Sequence, residues 1–207
     1  NPLHTAMSIY GCMLGYTLIS AEMADDDIRA FIQKIGYMEA MPVVTDPGVL
    51  NPYEFIGAVI NRRLPNPFMP DAPQRIAMDT SQKLPIRFGE TLKKYVARGL
   101  DKSNLVLIPL TLAGYARYLK GLDDNGKPFE PSPDPMLAEL QAIVKPLELG
   151  KPDQSFSCLK QLYSRKDVFG VDLYEIGLGE QIEGMVKELY SGTGAIRSTL
   201  HKYVSAR

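Results

Sequence analysis

Asn1 and His4 stand three positions apart at the mouth of an apolar helical pattern, which puts them on one face. An amide there can donate to an oxyanion as it develops, and an imidazole can orient a hydroxyl. The same residues also have a plain structural use. Asn is a favoured cap and Pro2 a favoured first helical residue, so Asn1-Pro2 starts a helix whatever else it does. A second constellation is Arg75, Asp79 and Lys83, spaced by four within 74–83, which predicts one polar ridge on a single helix. As a ladder of surface ion pairs it is worth only about 0.3 to 0.5 kcal/mol per pair. Alternatively, Asp79 holds two cations that present a fork of donors and a point charge to a hydroxylated or carboxylated ligand. Spacing alone leaves both open.

The elements that must carry these residues read as helices. Leu3, Met7, Tyr10, Leu14 and Leu18 recur at three- and four-residue intervals and predict a buried helix over 3–23. Asp25 to Asp27 supply an acidic start for a second helix that ends at Pro42, and Asp46-Pro47-Gly48 is turn chemistry. A third helix is expected over 52–63, capped by Asn51, followed by a proline-rich connector over 64–73. Further helices are expected over 74–83 and 86–98, separated by Pro85, and over 105–119, 136–143, 155–163, 173–189 and 195–204. The Asp-, Gly- and Pro-rich segment 121–135 reads as a surface loop. The fold class that follows is all-α, in one helical domain spanning 1–207. Because position 1 is not Met and the pattern begins at once behind it, a preceding segment is expected.

Composition narrows the function. Twenty-three Lys and Arg residues against 24 Asp and Glu give a net charge of -1, with no basic footprint for nucleic acid or an anionic membrane. The two cysteines, Cys12 and Cys158, do not make a disulfide framework, and neither has a His or Cys at ligand spacing, so no metal is expected and a cytoplasmic setting is. No run crosses a bilayer and no signal peptide is visible. Gly177-Leu178-Gly179 and Gly192-Thr193-Gly194 lack both a preceding strand and a third glycine, so a dinucleotide fingerprint is missing.

Taken together, the ordered motifs resemble the C-terminal domain of the mannitol dehydrogenase family, the polyol-specific long-chain dehydrogenases that include mannitol 2-dehydrogenases and fructuronate reductases (D-mannonate oxidoreductases). The resemblance rests on Asn1-x-x-His4, Arg62-Arg63-x-Pro65-Asn66-Pro67, the run from Arg75 through Lys83, Ala113-Gly114-Tyr115-Ala116-Arg117-Tyr118-Leu119, the stretch from Gly121 to Gly126, and Asp134-Pro135-Met136-Leu137-Ala138. It implies a helical domain like that of 6-phosphogluconate dehydrogenase, joined to an N-terminal Rossmann domain that holds NAD or NADP and is absent from this chain. The family signature is Lys-x-x-x-x-Asn-x-x-His: Lys is the general acid/base, Asn helps polarise the reacting oxygen and His orients the substrate. Asn1 and His4 match its last two members, and Pro2-Leu3 departs from the small residues usual between them. Arg75 and Lys83 fall where the family places substrate-binding cations. The implied reaction is hydride transfer at a secondary alcohol of a polyol or sugar acid, without a metal. The competing expectation is a helical interaction module with no chemistry, in which Asn1 is a cap and the ridge is solvated.

Overall fold

The computed structural model describes residues 2–45 and 48–206, so Asn1 and the expected turn at Asp46-Pro47 lie outside the described residues. Helix α8, Leu107–Leu119, is buried along its whole length, because Leu-Ile-Pro-Leu-Thr-Leu-Ala-Gly-Tyr-Ala-Arg-Tyr-Leu offers water almost nothing on any side. Its Pro109 falls in the first turn, where the missing N–H has no helical partner to lose. The first amides are held instead by one buried carboxylate: Glu39 accepts from the backbone N–H groups of Val106, Leu107 and Ile108 at 2.9, 2.8 and 2.8 Å. A negative charge at that end also complements the helix dipole.

Helices α1, Pro2–Met13, and α12, Gly179–Leu189, pack on α8 from different sides. Tyr10 of α1 lies so close to Gly114 that a Cβ there would come within 2.7 Å of its ring. Three buried tyrosine hydroxyls donate to α8 carbonyls: Tyr10 to Leu110, Tyr163 to Leu112 and Tyr190 to Ala116. Large aromatic bodies therefore enter the core without leaving an unpaired hydroxyl.

The helix expected over 3–23 is two pieces. Gly15 takes a left-handed conformation, φ 81°, and stops α1; α2, Ile19–Glu22, then begins where the Ile19 N–H donates to the Asp71 carbonyl. Asp25 starts α3, Asp26–Lys34, as expected, by accepting from the amides of Asp27 and Ile28. That helix continues as a π-helical segment, Ile35–Ala40, and a 3₁₀ turn, Met41–Val43, that contains Pro42. Asn51 likewise caps α4, Pro52–Ala58, which widens into a second π-helical segment, Val59–Arg63.

The ridge over 74–83 is not one helix. Helix α5, Pro73–Ile76, ends before Asp79, which sits at φ 53°, the one non-glycine residue with positive φ among the described residues. Helix α6, Thr80–Leu84, begins after it. The cause is tertiary: the Asp79 N–H donates to the Pro133 carbonyl, Ser81 donates through both its amide and hydroxyl to Asp134, and the Ser132 hydroxyl donates to the Gln74 carbonyl. Pro85, expected to separate two helices, separates nothing. Helix α6 runs through a third π-helical segment, Pro85–Gly89, into α7, Glu90–Ala97, because the wider turn accommodates a residue that has no amide to give.

Segment 121–135 is thus a strap and not a free surface loop. The fully buried Arg117 of α8 donates to the carbonyls of Leu122, Asp123 and Leu189, and the Tyr118 hydroxyl accepts from the Ser132 amide. Asp124 caps α13, Ala195–Ser205, by accepting from the amides of Ile196 and Arg197. Helices α9, Leu137–Val144, α10, Cys158–Tyr163, and α11, Lys166–Phe169, complete the domain, and α12 starts later than the expected 173. Among the described residues only an isolated bridge, Leu122 to Pro128, has β geometry, so the fold is all-α.

Candidate functional site

The first turn of α1, the end of the second π-helical segment, the connector after it, helices α5 and α6, and the third π-helical segment meet around one open recess of about 210 Å³. His4, Arg63, Asp71, Arg75, Lys83 and Arg87 line it, with Ile76 as its apolar floor. Complete ligand pockets run to roughly 300 to 1,000 Å³, so this is the size of one wall of a site.

His4 is half-buried. Burial, then the charges of Arg63 and Arg87, lower its pKa to about 4, against the opposite pull of Asp71. Its imidazole is therefore neutral near pH 7, with one nitrogen to donate and one to accept, which is the form that can orient a hydroxyl. Lys83 donates to the carbonyls of Ile76, at 2.9 Å, and Met78. Its ammonium thus also satisfies the end of α5. Burial, and next the charge of Arg87, lower the Lys83 pKa, while Asp79 pulls it up.

The structure brings three of the four expected site residues together, but not as the spacing implied. His4, Arg75 and Lys83 share the recess, and Asn1 lies outside the described residues. Asp79 does not bridge the two cations, because its left-handed conformation breaks the ridge; Arg75 instead pairs with Asp71, an ion pair of which the Arg side chain is 63 % exposed. Arg63 and Arg87 are the residues that spacing missed. Arg87 follows Lys83 by four and belongs on the same face, a relation hidden by expecting Pro85 to end the helix. Half-buried, it donates to the Thr5 hydroxyl of α1 at 2.5 Å, and burial lowers its pKa. Arg63 stood in the sequence only as part of a family motif.

Arg63 also lines a second, apolar groove of about 390 Å³ that runs along Leu3, Ala40, Phe55, Ile56 and Val59. A further depression, about 590 Å³ between Met41 and Tyr53, has no charged side chain among the described residues of its lining. Among the described residues no group of three His, Cys, Asp or Glu side chains could hold a metal ion, and no helix is long and apolar enough to cross a membrane. Gly179 opens α12 without a strand before it, and the Tyr174 ring occupies the space beside it, so no strand-to-helix phosphate turn is formed there.

The family model for the mannitol dehydrogenase C-terminal domain matches residues 1–190. A D-mannonate oxidoreductase of Thermotoga maritima is 50% identical over 205 residues, 99% of this chain and 38% of its own length. A mannitol 2-dehydrogenase of Aspergillus fumigatus is 29% identical, over 99% of this chain and 38% of its own. Among solved structures, Pseudomonas fluorescens mannitol 2-dehydrogenase, in ternary complex with NAD and D-mannitol, superposes over 100% of this chain and 39% of that one with a TM-score of 0.84 at 21% identity, a likeness of fold. The chain therefore spans about two fifths of the proteins it matches.

Proposed function

Because the chain belongs to the mannitol dehydrogenase family and corresponds to its C-terminal domain, we propose that it is the substrate-binding half of an NAD(P)-dependent oxidoreductase. The reaction is reversible hydride transfer between nicotinamide and a secondary alcohol of a polyol or sugar acid, of the mannitol/fructose or mannonate/fructuronate type. The observation that carries this reading is the neutral His4 at the head of α1, facing a recess lined by Arg75 and Lys83. In this reading His4 orients the substrate hydroxyl, Asn1 donates to the reacting oxygen as negative charge gathers on it, and Arg75 and Lys83 bind the remaining oxygens.

The family's acid/base lysine would precede Asn1 by five residues, and NAD or NADP is assigned to an N-terminal Rossmann domain, since no phosphate turn is formed beside Gly179. No residue of this chain is given a step on the cofactor, and no metal is invoked. Unpaired Cys12 and Cys158 fit a cytoplasmic setting. The test is a substrate screen of the full-length protein, following NAD(P)H absorbance with mannitol, fructose, mannonate and fructuronate. Turnover of one redox pair is expected, and no turnover with any of them refutes the reading.

A further inference from the structure

Four cations line the recess against one carboxylate, and they are not equally committed. Arg75 pairs with Asp71. Lys83 is taken up by the carbonyls of Ile76 and Met78, and Arg87 by the Thr5 hydroxyl. The Arg63 side chain makes no hydrogen bond or ion pair among the described residues, although it stands at the rim shared by the polar recess and the apolar groove. It is delivered there by the last residue of the π-helical segment Val59–Arg63, and Arg87 by another such segment, Pro85–Gly89. Wide turns of this kind are rare and concentrate at functional sites.

A guanidinium presents a flat fork of donors that matches a carboxylate in two parallel bonds, and it keeps its charge at any working pH. A hydroxymethyl group offers the same fork one weaker, neutral acceptor. With His4 neutral, the lining of the recess sets four cations against the single carboxylate of Asp71. We propose that Arg63, with Arg87 behind it, is the anion-binding end of the recess, and that it selects a substrate bearing a terminal carboxylate over a neutral polyol. The proposal rests on the dehydrogenase reading for its reaction but not for its binding chemistry.

The test has two arms. In the first, the 207-residue chain is titrated calorimetrically with D-mannonate and with D-mannitol. It should bind the acid at least tenfold more tightly, Arg63→Gln should erase that preference, and Arg63→Lys should restore part of it. Arg63 is exposed, so these variants leave the core untouched. In the second, the ratio of kcat/KM for mannonate to that for mannitol in the full-length enzyme should fall at least tenfold with Arg63→Gln, through KM.

Equal binding of acid and polyol by the unaltered chain, or a preference that survives Arg63→Gln, overturns the proposal. If the full-length protein turns over neither substrate while the chain still prefers the acid through Arg63, the dehydrogenase reading fails and the anion site stands. If it oxidises mannonate with the same KM in Arg63→Gln, the reverse holds.

Discussion

The two sides of α1 are built on different terms. Toward α8 and α12 the residues are buried and their polar groups paired: Glu39 serves three amides, three tyrosine hydroxyls find carbonyls, and the Arg117 guanidinium finds three more. Toward the recess the backbone is interrupted, by Asp79 at positive φ and by the π-helical segments over 59–63 and 85–89. The difference shows how the domain divides its labour. The paired, buried side supplies a fixed frame, and the interrupted backbone carries the charged side chains that line the recess.

One residue breaks the rule on the buried side. Glu22 is fully buried, fills the space beside Gly11, and has no hydrogen-bond partner for either carboxyl oxygen. Burial, and then the charge of Asp25, push its pKa up to about 9, so it is a neutral acid near pH 7. Cys12, beside it, is pushed up to about 12 by burial and by the same carboxyl.

Substitutions can sharpen the contrast or break it. The largest loss of stability should come from Glu39→Ala, which strands three amides at the head of α8 and should cost about 3 to 5 kcal/mol in denaturant unfolding; a loss under about 1 kcal/mol would mean that Glu39 does not hold the head of α8. On the recess side, Asn1→Ala in the full-length enzyme should lower kcat by roughly 10²- to 10³-fold with little change in KM, and unchanged turnover removes Asn1 from the mechanism. The 207-residue chain alone should show no dehydrogenase activity, which a single assay with purified protein checks.

Glu22→Gln should act through pH. The folded state binds the Glu22 proton up to about 9 and the unfolded state only to 4.5, so wild-type stability falls as pH rises through that window. The variant lacks this slope, and its advantage should grow by roughly 1.4 kcal/mol per pH unit between about 5 and 8. Parallel stability curves would mean that Glu22 is solvated. The smallest effect belongs to Arg75→Ala: its exposed pair with Asp71 should change stability by less than about 0.5 kcal/mol, while KM for the substrate rises. A large stability loss there would make Arg75 a structural residue.

Much of this was legible in the residues. Asp25 and Asn51 announced their helices because a cap is a local matter, decided by a side chain and amides two or three positions away. The apolar run of α8 likewise reads as a buried helix without any knowledge of its neighbours. The ridge from Arg75 to Lys83 did not survive, since its continuity depended on Asp79, and Asp79 answers to a carbonyl on the strap. Pro85 misled for a related reason. A proline ends an α-helix but is tolerated in a wider turn, and that error removed Arg87 from view.

The sequence by itself determined the helical class and the capped starts at Asp25 and Asn51, because each is written in residue types at short spacing. Only the tertiary structure decided which cations converge and which of them is left uncommitted. Convergence depends on contacts between segments far apart in the chain, such as Arg87 on Thr5 and Asp79 on Pro133, and helical periodicity carries no record of them.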